Sequence, residues 1–299
     1  MLTHCFVMNP NAGGKDATKK LTKEILEVFE KLNEPYEIYN TKGDESDAQF
    51  IKNRCKDGEE VRFYACGGDG TVNRVANAVF ENENASMAVV PCGTGNDYIK
   101  SIGGYNNLQE LVTKGNEKIV DILKMNDVYS INLVAMGVDA KTNENIIKYK
   151  KKPFLKGIAY YLGIVESFFI KRESVVSISI DDKEPFEKTI LMMTYGKGKY
   201  YGRDFKATPL ASVTDGKIDV CIVDNIPVWR MVRLLPLYAK GTHVDSNLSK
   251  DVVLYKKAIK AKIESEEDIV ISVDGEVMRE KSITIEVIPQ AIRLFSLDF

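Results

Sequence analysis

Along residues 1–124 short apolar runs alternate with segments whose apolar positions recur every three or four residues. Cys5-Phe6-Val7-Met8, Val61-Arg62-Phe63-Tyr64-Ala65 and Met87-Ala88-Val89-Val90 predict strands. Leu21, Ile25, Val28, Phe29 and Leu32 predict an amphipathic helix behind the first, and Val72, Val75, Ala76 and Val79 one behind the second. Such alternation marks an α/β layer fold. Further along, the period drops to two. Val176, Ile178 and Ile180 alternate with serines, and Ile218, Val220 and Ile222 with Asp219 and Cys221. Ile259, Ala261 and Ile263 alternate with lysines, and Ile283, Ile285 and Val287 with Thr284 and Glu286. Strands of this kind pair antiparallel and bury one face, which predicts a β-sandwich. Two helical segments, near 154–170 and 227–240, interrupt it.

Composition narrows the possibilities. A length of 299 residues favours two domains, and 44% hydrophobic with 28% charged residues suits a folded core. A formal net charge of −2 and a pI near 5.9 speak against a nucleic-acid partner. The five cysteines, at 5, 55, 66, 92 and 221, show no CxxC spacing and read as reduced thiols of a cytosolic protein. Two histidines, His4 and His243, cannot build a His-rich metal site. The N-terminus lacks the pattern of a signal peptide. The greasiest stretch, Gly157 to Ile170, contains Glu166 and falls short of the ~20 apolar residues that span a bilayer. The expectation is a soluble, cytoplasmic protein that meets a membrane, if at all, from the side.

Three turns follow the N-terminal strands and carry glycine where a helix should begin: Asn9-Pro10-Asn11-Ala12-Gly13-Gly14, Gly67-Gly68-Asp69-Gly70 and Pro91-Cys92-Gly93-Thr94-Gly95-Asn96-Asp97. Glycine permits positive φ and close backbone approach, and a helix N-terminus offers unpaired N–H groups to phosphate. Strand ends of an α/β sheet share one crevice, so three such turns together point to a phosphorylated ligand. Neither familiar fingerprint is present. Gly14-Lys15 is followed by Asp16, so GxxxxGK[ST] fails, and Asn73 stands where GxGxxG needs glycine.

Gly67 to Asn73 (GGDGTVN), with Asn9-Pro10-x-x-Gly13 upstream and Pro91 to Asp97 downstream, resembles the soluble bacterial diacylglycerol kinases and YegS-type lipid kinases, relatives of sphingosine and ceramide kinases. The resemblance continues through Asn132 to Ala140, Tyr201 to Val220 and Val273-Asp274-Gly275-Glu276. It implies an α/β nucleotide-binding domain, like that of NAD and diacylglycerol kinases, at residues 1–124. The last strand (about 290–299, with Ile292 to Phe295) would return to it, and an antiparallel β-sandwich at 125–289 would take the lipid.

Asn9, Pro10, Asn11, Ala12 and Gly13 with Thr41 would line one side of an ATP pocket. Gly67, Gly68, Asp69, Gly70, Thr71, Val72 and Asn73 would wrap the phosphates, and Thr94 would close the other side. Asp69 would partner the nucleotide-bound Mg²⁺, directly or through water; the alternative for it is a helix N-cap. Glu276 resembles the general base, a role worth roughly 10²–10⁴-fold, although Asp274-Gly275 alone reads as a hairpin turn. Asp215, with the carbonyls of Ser212 and Lys217, resembles a second, structural Mg²⁺ site, or else an Asp-Gly turn. Asp97 and Asp121 match acids that link that ion to the active site, or are surface carboxylates.

Three positions depart from the family pattern. Arg74 stands where Glu is usual, and either assists phosphate binding or points to solvent. Lys100 replaces Arg, and Lys197 replaces Asn in Gly196-Lys197-Gly198. Membrane contact has two candidate helices. One carries Lys148, Lys150, Lys151, Lys152 and Lys156 beside Phe154, Ile158, Tyr161, Leu162, Val165, Phe168 and Phe169; the other carries Trp229, Met231, Leu234 and Leu235. The activity implied is ATP- and Mg²⁺-dependent phosphorylation of a lipid hydroxyl, foremost diacylglycerol to phosphatidic acid, at the inner face of the membrane. NAD kinase shares GGDGT, but residues 95–100 lack its NxGxxGFL pattern; a non-catalytic nucleotide- or lipid-binding regulator is the other alternative. An antiparallel edge strand could support a homodimer.

Overall fold

The computed structural model describes residues 2–297 apart from 14, 56, 57, 81, 94, 151–165, 167–173 and 204. The chain divides into two compact units. Unit 1 comprises Met1–Ile122, Val213–Asp215 and Ile288–Phe299, and unit 2 comprises Leu123–Ser212 and Gly216–Val287.

Unit 1 holds β1 (Thr3–Met8), α1 (Lys15–Leu32), β2 (Tyr36–Asn40), α2 (Glu45–Cys55), β3 (Val61–Gly67), α3 (Asp69–Val79), β4 (Ala85–Pro91) and α4 (Leu108–Lys114). β5 (Asn116–Met125) begins here, and the end of the 21-residue β13 (Glu276–Ser296) joins it. Hydrogen-bonded order is β13-β4-β3-β1-β2, every pair parallel. β4, β3 and β1 are thus adjacent and point the same way. Their C-terminal ends, Pro91, Gly67 and Met8, deliver the three glycine turns to one edge of the sheet. Phe6, Met8, Tyr64, Cys66, Ala88 and Val90 meet Leu21, Ile25, Val28 and Phe29 of α1 in a closed core. Each large side chain so buried stabilises by about 1.5–3 kcal/mol.

The expected separate last strand is instead the end of β13, pairing Arg293, Leu294 and Phe295 with Ser86, Met87 and Ala88. Within it Gln290 adopts φ +51 and donates its N–H to the buried Asp121 carboxylate at 2.9 Å. Asp121 is therefore not a surface acid.

Unit 2 contains β6 (Val128–Ser130), β7 (Leu133–Gly137), α5 (Val138–Lys150), β8 (Ser174–Ile180), β9 (Phe186–Gly196), β10 (Ile218–Asp224), α6 (Val228–Lys240), β11 (Val253–Ala258), β12 (Lys260–Val273) and the first part of β13. Antiparallel pairing runs β11-β10-β9-β7-β12-β13, with β8 joining β12 and β9. Most of the apolar members of the period-two runs are its core: Val176, Ile178, Ile180, Ile218, Val220, Ile222, Ala261, Ile263, Ile283 and Ile285. The α/β-plus-sandwich expectation holds. Of the two helical segments, 227–240 is α6. Of the basic and aromatic residues assigned to the first segment, Lys148 and Lys150 close α5, with Lys148 paired to Glu166 at 3.6 Å, and the others lie outside the described residues. Among the described residues no helix is long and apolar enough to cross a membrane.

Candidate functional site

In unit 1 the three turns are knitted together by backbone contacts that only small residues allow. A Cβ on Gly93 would stand 2.4 Å from the Gly68 Cα, and one on Gly13 would stand 2.4 Å from the Cys92 carbonyl oxygen. Gly13 also needs φ +67. The Gly67 carbonyl accepts the N–H groups of Cys92 and Gly93 at 2.9 and 3.1 Å. Asn9 accepts the Asn11 N–H on its side-chain oxygen and donates its amide to the Thr71 hydroxyl at 3.3 Å. Pro10, Asn11 and Gly13 are exposed along the first turn, with Ala12 half-buried. α3 starts at Asp69, so the N–H groups of Asp69 and Gly70 carry the partial positive charge of a helix N-terminus, while those of Thr71 and Val72 donate to the Gly68 carbonyl. Val72 packs inward, and the Asn73 side chain is held by Asn77 at 2.9 Å. Thr94 lies outside the described residues.

Gly68, not Asp69, takes the N-cap position, so the capping alternative for Asp69 does not apply. The Asp69 carboxylate instead accepts the N–H of Asp97 at 2.7 Å and of Tyr98 at 3.1 Å, both on one oxygen. A Cβ on Gly95 would approach its other oxygen to 2.8 Å. Burial raises the Asp69 pKa, and the Asp97 charge adds to it, against the pull of the two N–H bonds. Asp97 is itself buried and pairs with Lys100 at 3.0 Å. Two crowded carboxylates beside the N–H groups that open α3 are a donor set that suits a hard divalent cation, so these residues fit a Mg²⁺ ion carried by a phosphorylated ligand.

Thr41 is buried, its N–H bonded to the Met8 carbonyl at 2.8 Å. The loop after it is held by Asp47, which is fully buried and accepts the N–H groups of Lys42 and Gly43, the Tyr39 hydroxyl at 3.0 Å and the Arg74 guanidinium at 2.8 Å. Burial alone would raise the Asp47 pKa, yet these donors outweigh it and hold it below the usual range. Arg74 therefore does not simply point to solvent. It pairs with Asp47, because an unpaired buried carboxylate is costly and α3 brings a cation within reach.

In unit 2, Asp274 and Gly275 both take positive φ, +46 and +95, as a tight hairpin between β12 and β13 requires. The Asp274 carboxylate accepts the Ser130 hydroxyl at 2.8 Å and the N–H groups of Ile131, Asn132 and Leu133. Asn143 donates to the Gly275 carbonyl at 2.7 Å. The next residue, Glu276, opens β13 with its side chain exposed. What this unit provides is a fixed backbone position for the carboxylate.

Ser212, Asp215 and Lys217 lie on the turn before β10, with Asp215 and Lys217 exposed. The Lys217 carbonyl already accepts a hydrogen bond from the Lys197 ammonium at 2.7 Å. The residues of α6 separate by face. Leu234 and Tyr238 are buried and Met231 packs on the same core, whereas Val228, Trp229 and Val232 are exposed, with Arg233 over the Trp229 ring. Trp229, Met231, Leu234 and Leu235 therefore do not form one outward face.

Periodicity could not single out Asp47, Asp274 or Asp139. Asp139 meets Tyr238 at 3.4 Å, and burial pushes its pKa up to about 6. Only a carboxylate next to glycine, as at Asp274-Gly275, left a local signal.

Known families match both parts of this arrangement. A diacylglycerol kinase catalytic domain matches residues 3–125, and a YegS C-terminal NAD kinase beta sandwich-like domain matches residues 132–296. The chain belongs to the diacylglycerol kinase family. It is thereby a lipid kinase, as the motif resemblance implied. The diacylglycerol kinase of Staphylococcus carnosus is 28% identical, over 91% of this chain and 87% of its own length. That of Bacillus subtilis is 26% identical, over 91% and 88%. A diacylglycerol kinase structure from Bacillus anthracis shares the fold with a TM-score of 0.70 at 21% identity, over 99% of this chain and 96% of the other.

Proposed function

We propose that this family member transfers the γ-phosphoryl group of ATP to a lipid hydroxyl, diacylglycerol foremost, to give phosphatidic acid. The observation that supports this most is the set of three glycine turns at the ends of adjacent parallel strands, closed by Asp69. Backbone N–H groups at the start of α3, Asp69 and Gly70 foremost because those of Thr71 and Val72 donate to the Gly68 carbonyl, bind phosphate oxygens, while Asn9 to Gly13, Thr41 and Thr94 border the nucleotide. Magnesium, when bound, neutralises the charge that phosphoryl transfer spreads over those oxygens. Asp69 would hold that ion, with Asp97 beside it. Glu276 takes the proton of the acceptor hydroxyl, its position set by the Asp274 turn. The named relatives act on diacylglycerol, and this chain's acceptor is read from them.

A lipid acceptor calls for contact with the cytoplasmic leaflet. Exposed Val228, Trp229 and Val232 with Arg233 on α6 suit it, since aromatic and cationic side chains settle at an anionic interface. Radiolabelled transfer from ATP-Mg²⁺ tests the reading, with phosphatidylglycerol vesicles carrying diacylglycerol in one arm and NAD in the other. Label in phosphatidic acid is the expected result. Label in NAD alone, or in neither, overturns the proposal.

A further inference from the structure

Lys197 is the largest departure from the family pattern in unit 2, and its surroundings explain it. β9 ends at Gly196, which pairs with Asp219 of β10, so the residues leaving β9 lie beside those entering β10. The turn they form is rigid. The Asn132 carbonyl accepts the N–H groups of both Lys197 and Gly198 at 2.9 Å, and the buried Thr208 hydroxyl donates to the Gly198 carbonyl at 2.7 Å. A Cβ on Gly196 would stand 2.2 Å from that hydroxyl oxygen.

From this base the Lys197 side chain runs through protein with 0% exposure. Its ammonium donates to the Lys217 carbonyl at 2.7 Å. A buried ammonium persists only where acceptors replace its water. That carbonyl is one of those the family resemblance assigns to a structural Mg²⁺. Magnesium needs oxygen ligands at about 2.0–2.1 Å in near-octahedral array. An ammonium bonded to the same oxygen takes one of its two lone pairs and places a positive charge where the ion would have to approach, which repels it. The residues present do not fit a divalent ion on this turn.

We propose that the Lys197 ammonium is the structural cation of the 212–217 turn, a tethered replacement for the divalent ion of the family. The strand junction at the end of β9 then keeps its order without metal, and the chain's magnesium requirement is confined to the nucleotide. The inference concerns the turn that leads into β10 and rests on no choice of acceptor.

Nucleotide-free and lipid-free protein provides the test, so failure of the kinase reading leaves its outcome unchanged. Wild-type protein is expected to melt at the same temperature in EDTA and in excess MgCl₂. Crystals soaked in MnCl₂ should show no anomalous density at the 212–217 turn. Lys197→Asn, which restores the family residue, should become magnesium-responsive: its Tm falls in EDTA and recovers with MgCl₂, and manganese density appears at the turn. Manganese at the turn in wild-type crystals overturns the proposal, as does a Lys197→Asn variant indifferent to magnesium. Should that variant fail to fold, the wild-type crystals decide alone.

Discussion

The Asp69 carboxylate accepts the Asp97 backbone N–H at 2.7 Å, so a side chain from the loop after β3 closes the loop after β4. Asp69 thus has two separable tasks, tethering and the proposed cation binding. Asn retains one carbonyl oxygen that can accept the same N–H, but it loses the charge. Asp69→Asn should leave Tm within a few degrees of wild type and lower kcat by about 10²–10³-fold, the scale of losing one transition-state charge contact. Asp69→Ala should lose the tether as well, with a lower Tm. Thermal denaturation beside steady-state kinetics checks both, and equal melting losses in the two variants would contradict the division.

Arg74 and Asp47 make the second prediction. Asp47 is fully buried and Arg74 partly exposed, so the pair is discounted from the 3–5 kcal/mol typical of a broken buried pair to about 2 kcal/mol. Arg74→Glu, the usual family residue, sets two carboxylates together and should cost more than Arg74→Ala. Because Asp47 holds the Lys42-Gly43 backbone next to Thr41, both variants should raise KM for ATP more than they lower kcat. Chemical denaturation and ATP titrations measure these effects, and an unchanged KM would refute the link to the nucleotide loop.

For Glu276 the prediction separates chemistry from fold. Glu276→Gln should lower kcat about 10²–10⁴-fold, the range for loss of a general base, with ATP affinity and Tm unchanged. Asp274→Ala should instead destabilise, since it strands the Ser130 hydroxyl and the N–H groups of Ile131, Asn132 and Leu133. Stability near wild type in Asp274→Ala would show that the turn does not depend on this carboxylate.

Asp139 sets a pH dependence. Burial raises its pKa from 3.8 to about 6, so between those values the native state binds its proton more tightly than the unfolded chain does. The associated stability is fully present below about pH 4 and is lost as pH rises through 6. The loss amounts to about 3 kcal/mol by the cost per pKa unit. Asp139→Asn keeps an acceptor for Tyr238 without the charge. Its stability relative to wild type should therefore rise by about 2–3 kcal/mol between pH 4 and 7, measured by urea denaturation at each pH. No change in that difference would place the charge elsewhere.

Much of the fold was legible because burial imposes a period on local sequence. Leu21, Ile25, Val28 and Phe29 recur with the turn of a helix, and Ile218, Val220 and Ile222 with the pleat of a strand, whichever neighbours they meet. The glycine turns were legible for a related reason: positive φ and close backbone approach restrict residue type at the position itself. Motif order then carried the family, which composition alone could not.

What needed the tertiary structure was every pairing between residues far apart in the chain. Arg74 finds Asp47 only because β1 and β3 lie side by side and set α2 against α3. Lys197 reaches the Lys217 carbonyl only because the end of β9 lies beside the start of β10, and Asp274 gathers donors from 130–133 through the pairing of β7 with β12. A charged side chain looks alike in sequence whether solvated or buried. Its partner is decided by the register of strands and the packing of helices, which depend on the whole chain at once.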